Sequence, residues 1–472
     1  MDHYHIITIL VLLFGFYTAW NIGANDVSNA MGTSVGSGAL RLRQAVLIAA
    51  VFEFSGAFFL GANVSETLQK GIIDVDAFSM QPKILMLGMC AALLGTGLWL
   101  QTASFFGWPV STTHAIVGAI VGFGAVIGGV DAVHWHEVGK IALSWVISPL
   151  FSAVIAFFTF SFLRYSIFFS PSPIKAARRL FPLLIFICLT TFSLSMLAGG
   201  IKNLDLSLQA YQTIGLSVLI GLVAGAAAYF LIKRVETPQM ADLKPRIYSG
   251  ENVLCLDKAV KHLRRVRMGK DPLSREVFAL MKKVKTLADD VRQNTVKGEV
   301  TSEFQFVEKL FVYLQIISAC FIAFAHGAND VANAIGPVAA VLNILENGRL
   351  TDNAIIPTWL LLLGGVGIVL GLATWGWRVI ETIGRKITEL TPTRGFAAEF
   401  GAATTILIAS KLGLPISTTH CLVGAVFGVG MAHGIRALNL SMIREIIISW
   451  IVTIPISALM CIAVFYALRA LI

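Results

Sequence analysis

Two acidic clusters recur in this chain: Gly23-Ala-Asn-Asp-Val-Ser-Asn-Ala30 returns, 304 residues later, as Gly327-Ala-Asn-Asp-Val-Ala-Asn-Ala334. Each sets one carboxylate, Asp26 or Asp330, among small residues and between two amides, Asn25 and Asn29 or Asn329 and Asn333. Carboxylate and amide oxygens are hard ligands for a cation such as Na+, while amide NH2 groups donate to an anion or tie helices together. A second pair, Pro109-Val-Ser-Thr-Thr-His114 and Pro415-Ile-Ser-Thr-Thr-His420, recurs at a shift of 306. The proline ends the preceding segment, and Ser111 or Ser417 stands where a helix can begin. The free N–H groups there, with the hydroxyls of Thr112 and Thr113 or Thr418 and Thr419, suit an anion, and the oxygens of Thr112 and Thr418 could join Asp26, Asp330, Asn25 and Asn329 on a cation.

No Lys or Arg lies beside either motif within its apolar stretch, although Arg is the usual partner of planar oxyanions. A dianion held there needs cations from solution, so anion and cation should bind together, and cotransport follows from that mutual need. Plainer roles compete: Gly23, Ala24 and Ala30 suit close helix packing, the serines suit ordinary helix capping, and His114, His326 and His420 read as packing histidines.

The elements that must position these residues are membrane helices. Of 472 residues, 56% are hydrophobic and 13% charged, with a mean hydropathy of +0.78, which excludes an ordinary soluble enzyme. Twelve stretches approach the ~20 apolar residues that a span requires. They lie near Ile6–Trp20, Ala45–Leu60, Ile84–Leu100, Ser111–Gly129, Ile141–Leu163, Leu183–Leu197, Tyr211–Ile232, Phe306–Phe324, Ile355–Trp375, Phe396–Ala409, Ser417–Met431 and Ile443–Leu468. The first has no basic flank or small-residue cleavage site and is expected to be retained rather than cleaved. Asp26 and Asp330 are expected at the ends of apolar helices, where an ionisable residue is functional by default.

Lys233 to Lys297 is the one sizeable hydrophilic segment, rich in Lys and Arg and periodic enough for surface helices around Val260 to Arg292. The positive-inside rule puts it in the cytoplasm, where anionic lipid would attract it. Every other segment falling on that side is net positive, and both termini then lie outside. The formal charge of +9 thus encodes orientation, and no nucleic-acid partner is expected. Seven spans separate the motif copies, an odd number, so the copies enter the bilayer from opposite sides.

The expected fold is an all-α polytopic membrane protein of about twelve transmembrane helices. It comprises two inverted five-helix repeats with broken helices (1–164 and 304–472), a linking pair of spans (165–232) and a basic cytoplasmic loop (233–303). The six cysteines form no CxxC or Cys/His spacing, so neither a disulfide framework nor a zinc site is expected. No Ser/His/Asp order, metal motif or Gly-rich phosphate loop suggests an enzyme.

These residues resemble the inorganic phosphate transporter (PiT) family of sodium- or proton-coupled phosphate permeases. The likeness rests on both copies of both motifs, on Gly32-Thr-Ser-Val-Gly-Ser-Gly38, on Leu42-Arg-Gln through Phe52-Glu53, on Gly71-Ile-Ile-Asp74 and on Thr391-Pro through Glu399. The resemblance implies symport of inorganic phosphate by alternating access, and the modest length of the central loop suggests a plasma membrane. Asp26, Asp330, Ser111 and Ser417 would be important for transport, and Glu53 and Glu399 would be acids coupled to it. It requires no cofactor, makes Na+ the expected coupling ion and leaves H+ as the alternative. A homodimer is compatible with it. Rival readings are a permease for another tetrahedral oxyanion such as sulfate, and a phosphate channel or sensor.

Overall fold

The computed structural model describes residues 3–74, 76–78, 81–198, 208–235, 256, 259–260, 262–263, 273–293, 302–348, 356–377, 379–380, 390–434 and 440–471. Among them the chain is almost wholly helical, with one isolated bridge between Ile73 and Val133. The first half contributes α1 (His3–Gly36), α2 (Leu42–Lys70), α3 (Pro82–Phe106), α4 (Thr112–Phe123) and α5 (Trp135–Leu163). Then come the mutually packed α6 (Pro173–Leu197) and α7 (Ala210–Arg234), and α8 (Leu273–Gln293) from the hydrophilic segment. Apart from 233–235, 256, 259–260, 262–263 and 302–303, the remainder of that basic segment lies outside the described residues. The second half contributes α9 (Ser302–Asp330), α10 (Ala332–Asn347), α11 (Thr358–Thr374), α12 (Pro392–Lys411), α13 (Thr418–His433) and α14 (Leu440–Leu471).

All twelve expected spans fall on helices. Eight helical stretches are long and apolar enough to cross a bilayer, and two shorter apolar ones cover Thr112–Gly128 and Thr358–Thr374. With the π-helical turn Gly124–Gly128 that continues α4, the first of these is about 26 Å long, short of a ~30 Å hydrocarbon core. It follows α3 through the non-helical Pro109–Ser111, as α13 follows α12 through Pro415–Ser417. The two breaks are built alike. Gly107 (φ +68°) and Gly413 (φ +67°) adopt the left-handed conformation that closes α3 and α12. Trp108 N then donates to Ala103 O, and Leu414 N to Ala409 O, each at 2.9 Å.

One expectation needs correction. Asp26 does not stand at a helix end: α1 runs on for ten further residues to Gly36, through the whole Gly-Ala-Asn-Asp cluster. The helix survives its polar residues because each finds a partner. Asn21 Nδ2 donates to Tyr17 O at 2.9 Å, Ser28 Oγ to Asn25 O at 2.9 Å, and Asn25 Nδ2 to Ser104 Oγ of α3 at 3.0 Å. Asp330 does end a helix, since Val331 interrupts α9 before α10 begins.

The halves interlock rather than sit side by side. Helix α1 packs on α11 of the second half, and α9 packs on α2 of the first. Both crossings depend on the first glycine of the acidic motif: a Cβ on Gly23 would lie 1.9 Å from Ile368 O, and one on Gly327 would lie 2.0 Å from Glu53 O. Likewise α4 lies on α14, and α13 on α5. Small residues at these crossings let backbones meet, the usual solution where lipid supplies no hydrophobic drive between helices.

Candidate substrate and cation site

The two Ser-Thr-Thr segments begin α4 and α13. Ser111 Oγ accepts from His114 N, and Ser417 Oγ from His420 N, both at 3.2 Å, so each serine caps its helix and the threonines fill the first turn. The two N-termini abut: Thr113 Oγ1 donates to Ile416 O at 2.8 Å, Thr419 Oγ1 donates to Val110 O at 3.4 Å, and the His114 and His420 ring centroids are 4.5 Å apart. Two helix ends with positive partial charge therefore face a shared interior space.

The acidic motifs meet those ends. Thr112 Oγ1 donates to Asp26 Oδ2, and Thr418 Oγ1 to Asp330 Oδ2, each at 2.7 Å. The amides then cross between halves. Asn29 Nδ2 donates to Asp26 Oδ1 at 3.0 Å and to Thr419 Oγ1 at 2.8 Å, while Asn333 Nδ2 donates to Thr112 and Thr113 Oγ1 at 3.2 Å each. Asn25 and Asn329 act as braces. Asn25 donates to Ser104 Oγ and Trp108 O and accepts from Val110 N; Asn329 donates to Ser410 Oγ and Leu414 O. All twelve of these motif residues are essentially sealed from solvent. The set is rich in unanswered oxygen, because Asn29 Oδ1, Asn329 Oδ1, Asn333 Oδ1 and Asp330 Oδ1 are buried without a donor.

Sequence reasoning missed His326. It sits among three carboxylates, with Nε2 2.9 Å from Asp330 Oδ2 and 3.9 Å from Asp26 Oδ2, and Nδ1 3.2 Å from Glu53 Oε1. It is a member of this buried cluster rather than a packing histidine. Asp26, His326 and Asp330 offer ligand atoms that all lie within 4.8 Å of one another. The signal was present in the sequence: the residue before the motif glycine is Ile22 in one copy and His326 in the other, the one strongly polar difference between them.

The structure separates the two glutamates. Glu53 joins the carboxylate cluster through His326. Glu399 lies instead in a nest of donors, accepting from Thr33 Oγ1 at 2.7 Å, Ser34 Oγ at 2.6 Å, Gln315 Nε2 at 3.1 Å, and Ser318. Thr33 is seven residues beyond Asp26, about 10 Å along α1. Neither acid has a counterpart in the other half: Ile368 holds against Gly23 the place that Glu53 holds against Gly327, and the position 306 residues before Glu399 is Leu93.

A multi-pass helical membrane protein whose duplicated acids and the N-terminal ends of two short helices meet in a sealed interior has the build of a transporter, not of an enzyme. The chain belongs to the phosphate transporter family, whose sequence profile matches residues 22–461. It is 46% identical over 463 residues to a phosphate permease of Chlamydia pneumoniae, covering 98% of each chain. It is also 45% identical over 455 residues to the chloroplastic inorganic phosphate transporter 2-1 of Arabidopsis thaliana, covering 96% of this chain and 70% of the other. A solved structure titled as the sodium-dependent phosphate transporter superposes with a TM-score of 0.77 at 36% identity, covering 99% of this chain and all of that one.

Proposed function

We propose that this phosphate transporter is a secondary symporter that carries inorganic phosphate together with Na+ by alternating access. Phosphate would lie between the N-termini of α4 and α13, received by their N–H groups and by the hydroxyls of Ser111 and Ser417, with those of Thr112, Thr113, Thr418 and Thr419 turning to it from the acceptors they hold here. Cations would lie beside it on Asp26 and Asp330, completed by the orphaned amide oxygens. The observation that carries this reading is the set of four buried oxygens without donors, set against two helix ends that attract negative charge. An oxygen-rich pocket of that kind is incomplete without a cation, and a phosphate dianion is costly to bury without one. The sodium dependence named for the similar solved structure supports Na+ as that ion.

The motif copies would insert in opposite directions, so that rocking of one half against the other exposes the same site first to one face and then to the other. The basic segment between α7 and α9 would be cytoplasmic, both termini external, and the membrane the plasma membrane. Uptake of radiolabelled phosphate into liposomes under an imposed Na+ gradient tests the function. Accumulation that collapses when the gradient is dissipated supports it. Uptake that ignores both Na+ and pH gradients would identify a channel, and binding without uptake a sensor.

A further inference from the structure

The mechanism above uses the Ser-Thr-Thr turns but not the histidines that follow them. His114 and His420 are both buried, each with an Nε2 that has no partner, and each directs Nδ1 at a backbone carbonyl of the other half: His114 at Trp450 O (3.3 Å) and His420 at Trp145 O (3.2 Å). A carbonyl only accepts, so Nδ1 carries the hydrogen in both rings. Trp145 O is not an ordinary helix carbonyl. Its helical donor would be the N–H of residue 149, and that residue is proline, which has none. His420 therefore supplies the bond that Pro149 withholds.

Trp145 also holds the other end of the same turn, because its Nε1 donates to Pro415 O at 3.1 Å. One residue of α5 thus grips both Pro415 and His420, the two ends of the segment carrying Ser417, Thr418 and Thr419. The grip is close: a Cβ on Gly424 of α13 would lie 2.3 Å from Pro149 O, and Ser152 Oγ donates to Cys421 O at 2.7 Å. Ring contacts hold both histidines, with His114 tilted 39° against Trp145 at 3.9 Å and His420 stacked on Trp450 at 3.4 Å between centroids. The first half is held less firmly, since Trp450 Nε1 has no partner.

We propose that His420, acting through the Trp145 carbonyl that Pro149 frees, is a positioning residue that sets the phosphate-facing turn Ser417–Thr419, and that His114 sets Ser111–Thr113 with a single tether. The proposal rests on the placement of phosphate at these turns. The helix end that receives the anion is aimed by the opposite half of the molecule. Rocking of one half therefore re-aims the turn of the other.

The test compares phosphate KM and Vmax in proteoliposomes for His420→Asn, whose side-chain amide reproduces the Nδ1 donor, and His420→Leu, which has none. His420→Gln, whose amide lies one bond further out, replaces the Leu variant if that protein does not reach the membrane. The Leu or Gln variant is expected to raise KM about five- to tenfold, the value of one buried hydrogen bond, and the Asn variant to stay within about twofold. In a Pro149→Ala background, where the restored backbone N–H supplies the missing donor, the difference between the variants should shrink. Equal KM values for the Asn and Leu variants, or a difference untouched by Pro149→Ala, would overturn the positioning role. Ser417→Ala separates the two levels. If it raises KM while the histidine variants do not, the phosphate placement stands and the tether falls; if it too leaves KM unchanged, the placement itself is wrong.

Discussion

At the residue scale, the two aspartates have equivalent hydroxyl partners, Thr112 and Thr418, and different neighbours. Asp26 is held by Thr112 and Asn29, whereas Asp330 is held by Thr418 and approached by His326, leaving Oδ1 unmatched. Asp330→Asn should abolish Na+-driven uptake, reducing it at least about a hundredfold, because a neutral amide neither balances a cation nor offsets a buried anion. Retained uptake with unchanged Na+ dependence in that variant would remove the aspartates from the coupling. Glu399 makes a different prediction. Its donors come from α1 and α9, away from the helix N-termini, so Glu399→Gln should lower Vmax several-fold and leave the phosphate KM within about twofold, as expected when an interaction outside the substrate shell is weakened. A change confined to KM would place Glu399 against the substrate instead. The motifs themselves were legible in the sequence because polar residues in apolar stretches stand out and recur. His326 was not legible as a site residue, since a lone histidine has no spacing of its own. Only the fold brings Glu53 of α2 and Asp26 of α1 to it.

At the scale of elements, the helices were legible and their extents were not. The apolar run ending at Trp20 predicted a helix there but not its continuation to Gly36, because Asn, Asp and Ser lower hydropathy without breaking a helix when their side chains are bonded. The helix starts of α4 and α13 were implied by Pro109 and Pro415, yet their meeting was not, since it depends on crossings between halves that local sequence does not encode. Those crossings have a measurable consequence. Gly23→Ala and Gly327→Ala each drive a methyl group into a backbone carbonyl, at 1.9 Å from Ile368 O and 2.0 Å from Glu53 O. Each should destabilise the detergent-solubilised protein by about 1–3 kcal/mol, visible as a lowered melting temperature. By contrast, Gly139→Ala and Gly215→Ala, where nothing lies within 4 Å, should leave it near the wild-type value. An equal shift for all four would mean that the α1–α11 and α2–α9 contacts are not as close as described.

At the scale of the whole molecule, the charge pattern argues for an orientation, and the orientation is testable. In a Cys255→Ser background the other cysteines lie in apolar helices, so single cysteines placed at exposed Arg41 and Asp131 test whether these positions lie on opposite faces, as the charge pattern predicts. A membrane-impermeant thiol reagent applied to intact cells should label position 131 and not position 41; the reverse would invert the topology. The opposed insertion of the two copies was inferred from the odd number of spans between them. The binding chemistry was inferred from the lack of basic residues near the motifs; the structure shows Asp26 bonded to Thr112 and Asp330 to Thr418, all four buried.

The central claim is that phosphate and cation each lower the cost of burying the other, so their binding must be mutually dependent, with equal factors in each direction. Titrating phosphate into the purified protein at a series of fixed Na+ concentrations and constant pH tests this most directly. Phosphate affinity should rise at least about tenfold as Na+ goes from absent to saturating, and the rise should vanish in the Asp26→Asn, Asp330→Asn double variant. Phosphate bound equally tightly without Na+, in the wild type and in that variant alike, would contradict the account.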